Sequence, residues 1–201
     1  MHYSKIATNS PLLKLSARWE VAYRSVSRSK FWFLLLTALG SLSNVVYTCT
    51  VPLVGFGVIA GATLPRRRAI ATMMTMWFVN QLLGFTIHSY PQTLNTFTWG
   101  LVLGLGTLLV TLLTSIKPSF GRSPMGSHYL WLAVALMGGY VLYECVILLA
   151  GFALGGVEGF TLPILWGVFA GNAVWAIAVG CLHSILLWDT SRQSSHAVLK
   201  H

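Results

Sequence analysis

Glu144 carries the most reactive group of this sequence in the least accommodating place. It is one of only four Asp and Glu residues in 201, and it lies inside the apolar stretch Tyr129 to Phe152. An ionisable group in hydrocarbon is costly and needs an internal partner, a cavity or a ligand. Tyr140 lies one helical turn before it and shares its face, and Tyr143 immediately precedes it. Two readings stay open for Glu144: a carboxyl hydrogen-bonded to another helix, or a group that receives a substrate or a proton.

Other polar and aromatic residues recur at the depth expected for Glu144. Tyr47, Thr48 and Thr50 end the first apolar block, and Asn80, Gln81, His88 and Tyr90 run toward and past the end of the third. Asn95 and Trp99 begin the fourth, while Asn172 and Trp175 lie some way into the sixth. A bundle that gathers them at one end would have aromatic walls and a few hydrogen-bonding groups, which suits a small organic ligand better than a bare ion. The candidate ligand-binding set is therefore Tyr47, His88, Tyr90, Asn95, Trp99, Tyr140, Glu144 and Asn172. Taken singly, each has a plainer reading: Trp and Tyr at span ends are interfacial anchors, and Asn or Gln joins helices.

Little else points to chemistry. His88 has no second His or carboxylate at ligand spacing, and His183 is read as structural. Cys49, Cys145 and Cys181 show no paired spacing and are read as structural thiols, so neither a metal nor a disulfide framework is expected. There is no HExxH, no GxSxG and no phosphate-cradling glycine loop. No cofactor and no catalytic residue is expected; an intramembrane enzyme using Glu144 and His88 as acid and base would lack a nucleophile or metal beside them.

The elements that must position these residues are membrane helices. The chain is 55% hydrophobic and 8% charged, with a mean hydropathy of +0.71, beyond what a soluble domain covers with polar surface. The run from Phe31 to Leu64 would be roughly 50 Å long as one helix, against a hydrocarbon core of about 30 Å. It must fold back, with the turn at Thr48 to Pro52 and a short second span ending at Pro65. That second span is expected to be helical only in part, or shielded by neighbours. Ala69–Ile87, Thr96–Ile116, Tyr129–Phe152 and Leu162–Trp188 supply four more.

Six crossings place all thirteen Lys and Arg residues on one side, which the positive-inside rule makes the cytoplasm. Lys5, Lys14, Arg18, Arg24, Arg28 and Lys30 precede the first block; Arg66, Arg67 and Arg68 follow the second, Lys117 and Arg122 the fourth, and Arg192 and Lys200 the sixth. The expected fold is an all-α polytopic membrane protein of six transmembrane helices, the second one short, in a bacterial cytoplasmic (inner) membrane with both termini inside. Residues 1–30 form a cytoplasmic amphipathic segment, 31–188 the membrane domain and 189–201 a polar, mobile cytoplasmic tail. Ser10-Pro11 marks a helix start, after which Leu12, Leu15, Trp19, Ala22 and Val26 recur at helical spacing. Their face is read as a lipid-facing anchor or as a docking surface. The +9 charge is spread through loops with few aromatics beside it, which fits topology and anionic lipid head groups rather than nucleic acid.

Small residues four apart, Thr37 and Ser41 above all, give the first span a face that another helix could approach closely, inside the bundle or from a partner. The layout resembles the substrate-binding S component of energy-coupling factor vitamin transporters. The likeness is carried most by Pro52 to Gly84, where Ala60-Gly61-Ala62-Thr63-Leu64 runs into Arg66-Arg67-Arg68-Ala69 and then Trp77-Phe78-Val79-Asn80-Gln81-Leu82-Leu83-Gly84. S-component-like families of unassigned substrate have a similar small-residue end, basic turn and polar pair, often with an acidic residue where this chain has Asn80-Gln81. The resemblance implies six spans, a pocket near the external face, and contacts to a membrane coupling subunit with ATPases through Thr37, Ser41 and the Arg66, Arg67, Arg68 turn. The leading expectation is a binding subunit capturing a small vitamin-like or cofactor-precursor molecule from outside. The alternative is a non-enzymatic subunit or assembly factor of a larger membrane complex, binding pigment or lipid.

Overall fold

A short, wholly buried helix organises this molecule. The computed structural model describes residues 11–47, 51–116 and 125–198. Lys5, Ser10, Thr48, Cys49, Thr50, Lys117, Arg122 and Lys200 lie outside the described residues, as do the side chains of Leu12, Lys14 and Leu15. The described elements are all helical: α1 (Pro11–Arg28), α2 (Lys30–Val46), α3 (Leu53–Thr63), α4 (Arg66–Thr86), α5 (Leu94–Thr114), α6 (Met125–Leu154) and α7 (Leu162–Val198), with a single 3-10 turn at Val157–Gly159 before α7. Among the described residues three helices are long and apolar enough to cross a membrane, Leu94–Thr114, Gly126–Leu154 and Leu162–Gln193. A fourth candidate is the bent pair Ala17–Arg28 and Lys30–Val46. The chain is thus a helical protein with apolar helices of membrane-spanning length.

Every residue of α3 is buried. At 11 residues it is about 16 Å long, half a hydrocarbon core, and it survives because α2, α4, α5, α6 and α7 all pack around it. Its glycines allow that. A Cβ at Gly55 would lie 2.5 Å from the Asn172 carbonyl oxygen of α7, and one at Gly61 would lie 2.6 Å from the Thr111 carbonyl oxygen of α5. Both are backbone contacts that cannot yield, so only glycine lets these helices approach.

A buried helix leaves polar backbone groups at its ends without intrahelical partners, and one side chain of another helix serves each end, with two more bonds along its length. Asn172 Oδ1 accepts the Gly55 N–H at 2.8 Å. At the far end the Tyr23 hydroxyl of α1 donates to the Ala62 carbonyl. Thr114 Oγ1 donates to the Gly57 carbonyl at 3.3 Å, and the Trp32 indole N–H of α2 donates to Thr63 Oγ1 at 3.0 Å. The short second span read from the sequence is helical throughout Leu53–Thr63 and fully shielded by neighbours.

The helices around α3 alternate in direction. Gly40 lies against Met76, and Thr37 Oγ1 meets Thr72 Oγ1 at 3.1 Å, so α2 and α4 run the same way. Gly106 lies against Tyr143 and Gly139 against Val110, so α5 and α6 run oppositely. Lys30 and Arg66–Arg68 consequently start α2 and α4 at one end, while residues 87–93 and 155–161, without Lys or Arg, form the connections at the other. Toward the basic end α6 and α7 part around an apolar groove of about 320 Å³, lined by Leu132, Leu136, Ala176 and Ile177 and crossed by the Tyr129–Ser184 hydroxyl pair at 2.6 Å.

Two elements differ from the sequence reading. The face of α1, read as a lipid-facing anchor or a docking surface, packs on the protein itself: Ala22 and Val26 are buried in the core with Leu187 and Val179 of α7, and Trp19 and Tyr23 join it. The apolar area of an 18-residue helix is covered there by α7, which is available because it is far longer than a span. Indeed α7 continues as helix through Val198, so most of the tail expected to be mobile is ordered. Its turns are held by Gln193 Nε2 donating to Asp189 Oδ2 at 2.8 Å and by Arg192 lying 3.7 Å over the Trp188 ring. At this end His183 is fully buried, 5.0 Å from the Trp32 ring and 6.0 Å from that of His128. Cys145 and Cys181 are free thiols.

Candidate ligand-binding site

Opposite the basic end, two adjoining chambers open among α4, α5, α6 and α7. The smaller, about 110 Å³, is walled by Asn80, Gln81, Tyr90, Thr96 and Gly100. The larger, about 240 Å³, is walled by Glu144, Ile147, Phe160, Ile164, Val168 and Asn172. Val51, Trp99, Leu103 and Tyr143 line both and form the partition.

Local sequence explains the walls. Thr93 caps α5, its hydroxyl accepting the Thr96 N–H at 3.2 Å, which starts the helix so that Thr96, Trp99 and Leu103 share a face. On α7 the spacing of Ile164, Val168 and Asn172 does the same. Gly100 leaves room for the Gln81 side chain, and Gln81 Nε2 donates to Asn80 Oδ1 at 3.0 Å. Trp77 closes that wall from behind, its indole N–H donating to the Gly100 carbonyl at 2.7 Å. Tyr90 is folded in by the turn ending α4, where Ser89 adopts a left-handed conformation at φ 53° and the Tyr90 N–H reaches the Gly84 carbonyl at 3.0 Å. On the other side the chain leaves α6 through Gly155 and Gly156 at φ 84° and 109°, conformations that glycine adopts without strain.

Of the eight candidates, Tyr90, Trp99, Glu144 and Asn172 line the chambers. Glu144 is half-buried, and among the described residues no Lys, Arg or His lines either chamber. Tyr140 stands one turn along α6, outside the lining; its hydroxyl donates to the Leu165 carbonyl at 2.6 Å and is close enough to the Glu144 carboxyl to interact with it. Asn172 is doubly engaged, since beyond capping α3 its Nδ2 donates to the Val168 carbonyl at 2.9 Å. Tyr47 sits at the end of α2 against Trp175, with ring centroids 6.5 Å apart. His88 lies behind Tyr90, 6.1 Å between rings. Asn95 is exposed at the rim, its Nδ2 reaching the Leu154 carbonyl at 3.5 Å.

Tyr143, which lines both chambers, is one of the wall residues outside the candidate set, with Gln81 and Phe160. Successive residues of a helix point about 100° apart, so a cavity flanked by α5 on one side and α7 on the other takes both Tyr143 and Glu144. The signal was present in the pair itself, but a one-face rule favoured Tyr140. Phe160 comes from an irregular connection and had no periodic signal. Gln81 had one, a polar residue inside an apolar helix.

The candidate partner contacts divide. Thr37 Oγ1 is spent within the chain on Phe33 O and Thr72 Oγ1, and Gly40, beside Ser41, lies against Met76, so this small-residue face packs on α4. Arg68 donates to the Arg28 and Ser29 carbonyls at 2.6 and 3.2 Å, closing the 62° bend between α1 and α2. Arg66 and Arg67 are exposed.

The fold and cavity define a helical protein with apolar helices of membrane-spanning length and a polar-and-aromatic chamber at the end away from its basic residues. Compared with known proteins, the chain matches no family model, no curated protein and no solved structure.

Proposed function

We propose that this protein is a membrane-embedded binding subunit that captures a small vitamin-like or cofactor-precursor molecule from the external side. In this reading α2 to α7 thread a bacterial cytoplasmic membrane six times, α3 being a short inner segment, with both termini in the cytoplasm. Lys30 and Arg66–Arg68 then face inward, as the positive-inside rule requires, and the chambers face out. The sequence has no phosphate-cradling glycine loop, and in this reading uptake is driven by a separate coupling subunit with ATPases. Exposed Arg66 and Arg67 are the part of the basic turn left for that partner. The resemblance of residues 52–84 to S-component-like families supports the same assignment.

The observation that carries the reading is the pair of chambers meeting at Trp99 and Tyr143. Cavities with mostly apolar walls and a few convergent polar groups are the usual form of small-molecule sites. The test is saturable binding by purified protein, followed by thermal stabilisation, across vitamins and cofactor precursors. A ligand whose binding is lost in Trp99→Ala supports the reading. No saturable ligand in the panel, together with no effect of Trp99→Ala or Glu144→Ala on cellular uptake, defeats it.

A further inference from the structure

The larger chamber has a charge and wall pattern that selects among ligands. We infer that it binds an organic cation, an ammonium or other positively charged nitrogen head, against the Glu144 carboxylate and the faces of Trp99, Tyr143 and Phe160. This deepens the binding-subunit reading and rests on it.

Four observations combine. Among the described residues, Glu144 is the only carboxyl or basic side chain lining either chamber. The Arg and Lys residues of the described helices stand at the opposite end, apart from any contact with it. Glu20 is already paired with Arg24 at 2.5 Å, Asp189 lies near the far end of α7, and Glu158 is exposed and outside the lining, so no other acid competes for a bound cation in the chamber. Three aromatic rings from three different elements, α5, α6 and the connection before α7, share the chamber with Glu144.

A half-buried carboxylate without a protein cation calls for a positive partner. Aromatic faces add attraction for a desolvated cation and none for an anion. One effect opposes this. The N-terminus of α7 opens on the same chamber through Ile164 and Leu165, and a helix N-terminus carries the equivalent of about half a positive charge. A full carboxylate charge outweighs it. The Tyr140 hydroxyl donates its one hydrogen to the Leu165 carbonyl, so it does not occupy the Glu144 carboxylate, whose oxygens stay available to a bound cation. A space of about 240 Å³ accommodates one ring or a short chain beside the charged head.

The test uses the full chain, purified in nanodiscs, with three isosteric probes: phenethylammonium, phenethyl alcohol and phenylacetate. Calorimetry is expected to show the cation binding at least about tenfold more tightly than the alcohol, with phenylacetate weakest. Glu144→Gln, checked for an unchanged unfolding temperature without ligand, is expected to abolish that preference by weakening the cation far more than the alcohol. Trp99→Ala is expected to weaken the cation about five- to tenfold. The inference is overturned if the alcohol or the anion binds as well as the cation, or if the preference survives Glu144→Gln. If none of the three binds but the wider vitamin panel yields a ligand, the charge of that ligand decides: a Glu144-dependent cation supports the inference, and a neutral or anionic ligand overturns it while leaving the binding-subunit reading intact. If nothing binds at all, both fall together.

Discussion

Replacing Asn172 by Leu removes the cap on the N-terminal end of the buried helix α3 while conserving side-chain volume. Gly55 is the third residue of α3, so its N–H has no acceptor within the helix. In the native protein Asn172 Oδ1 accepts it at 2.8 Å, and the site is fully buried, Asn172 being 2% exposed. With Leu there, no other acceptor or water replaces it, and an orphaned buried donor costs about 1–3 kcal/mol. The bond from Asn172 Nδ2 to the Val168 carbonyl adds little, because that oxygen keeps its place in the helical ladder of α7. The population of unfolded protein should rise roughly 5- to 150-fold at this cost. Denaturant unfolding in mixed micelles, followed by intrinsic Trp fluorescence, reads that shift as a lower midpoint. Asn95→Leu is the control: its Nδ2 contact is 3.5 Å long and exposed, and surface changes of that kind stay within about 0.5 kcal/mol. Equal midpoints for Asn172→Leu and the parent protein would refute the claim that α3 depends on side-chain caps from its neighbours.

The other predictions concern packing and the basic turn. Gly61→Ala pushes a methyl against the Thr111 carbonyl and should destabilise by about 1–3 kcal/mol, as overpacking does, lowering the unfolding midpoint and the yield of monodisperse protein. Tyr23→Phe deprives the Ala62 carbonyl of its hydroxyl donor and should cost about 1 kcal/mol in the same assay. Arg68→Ala should loosen the α1–α2 bend, seen as faster proteolysis within α1, whereas Arg66→Ala and Arg67→Ala, both exposed, should leave proteolysis unchanged. If Arg66 and Arg67 meet a coupling subunit, their double replacement lowers uptake without altering ligand affinity.

Much of the fold was legible because hydrocarbon imposes strong rules on sequence. The basic residues at Lys30 and Arg66–Arg68 mark one end, and the helices α4, α5 and α6 begin and end within a few residues of the apolar blocks. The run from Phe31 to Leu64 was too long for one span, so it had to fold back, and the polar residues and proline of Thr48 to Pro52 placed the turn. What could not be read was how α3 is kept. Its caps come from Asn172 and Tyr23, more than a hundred and about forty residues away in the chain, and nothing local announces them. The packing of α1 on α7 was hidden for a related reason, since an amphipathic face looks the same whether lipid or protein covers it. In the site, Trp99, Tyr90, Glu144 and Asn172 were found because polar and aromatic residues near span ends are conspicuous, while Tyr143 and Phe160 depended on which helices flank the cavity. Asn172 was found for its polarity, yet its amide is spent on α3 and α7.

The most direct test of the account is which end of the bundle faces out. In a background with Cys49, Cys145 and Cys181 replaced by serine, Ser89→Cys in the turn beside the smaller chamber and Arg67→Cys in the basic turn are each treated in intact cells with a membrane-impermeant maleimide. The account predicts labelling of Ser89→Cys without lysis and of Arg67→Cys only after it. Labelling of Arg67→Cys in intact cells would contradict it, turning the chambers toward the cytoplasm and removing the basis for capture from outside.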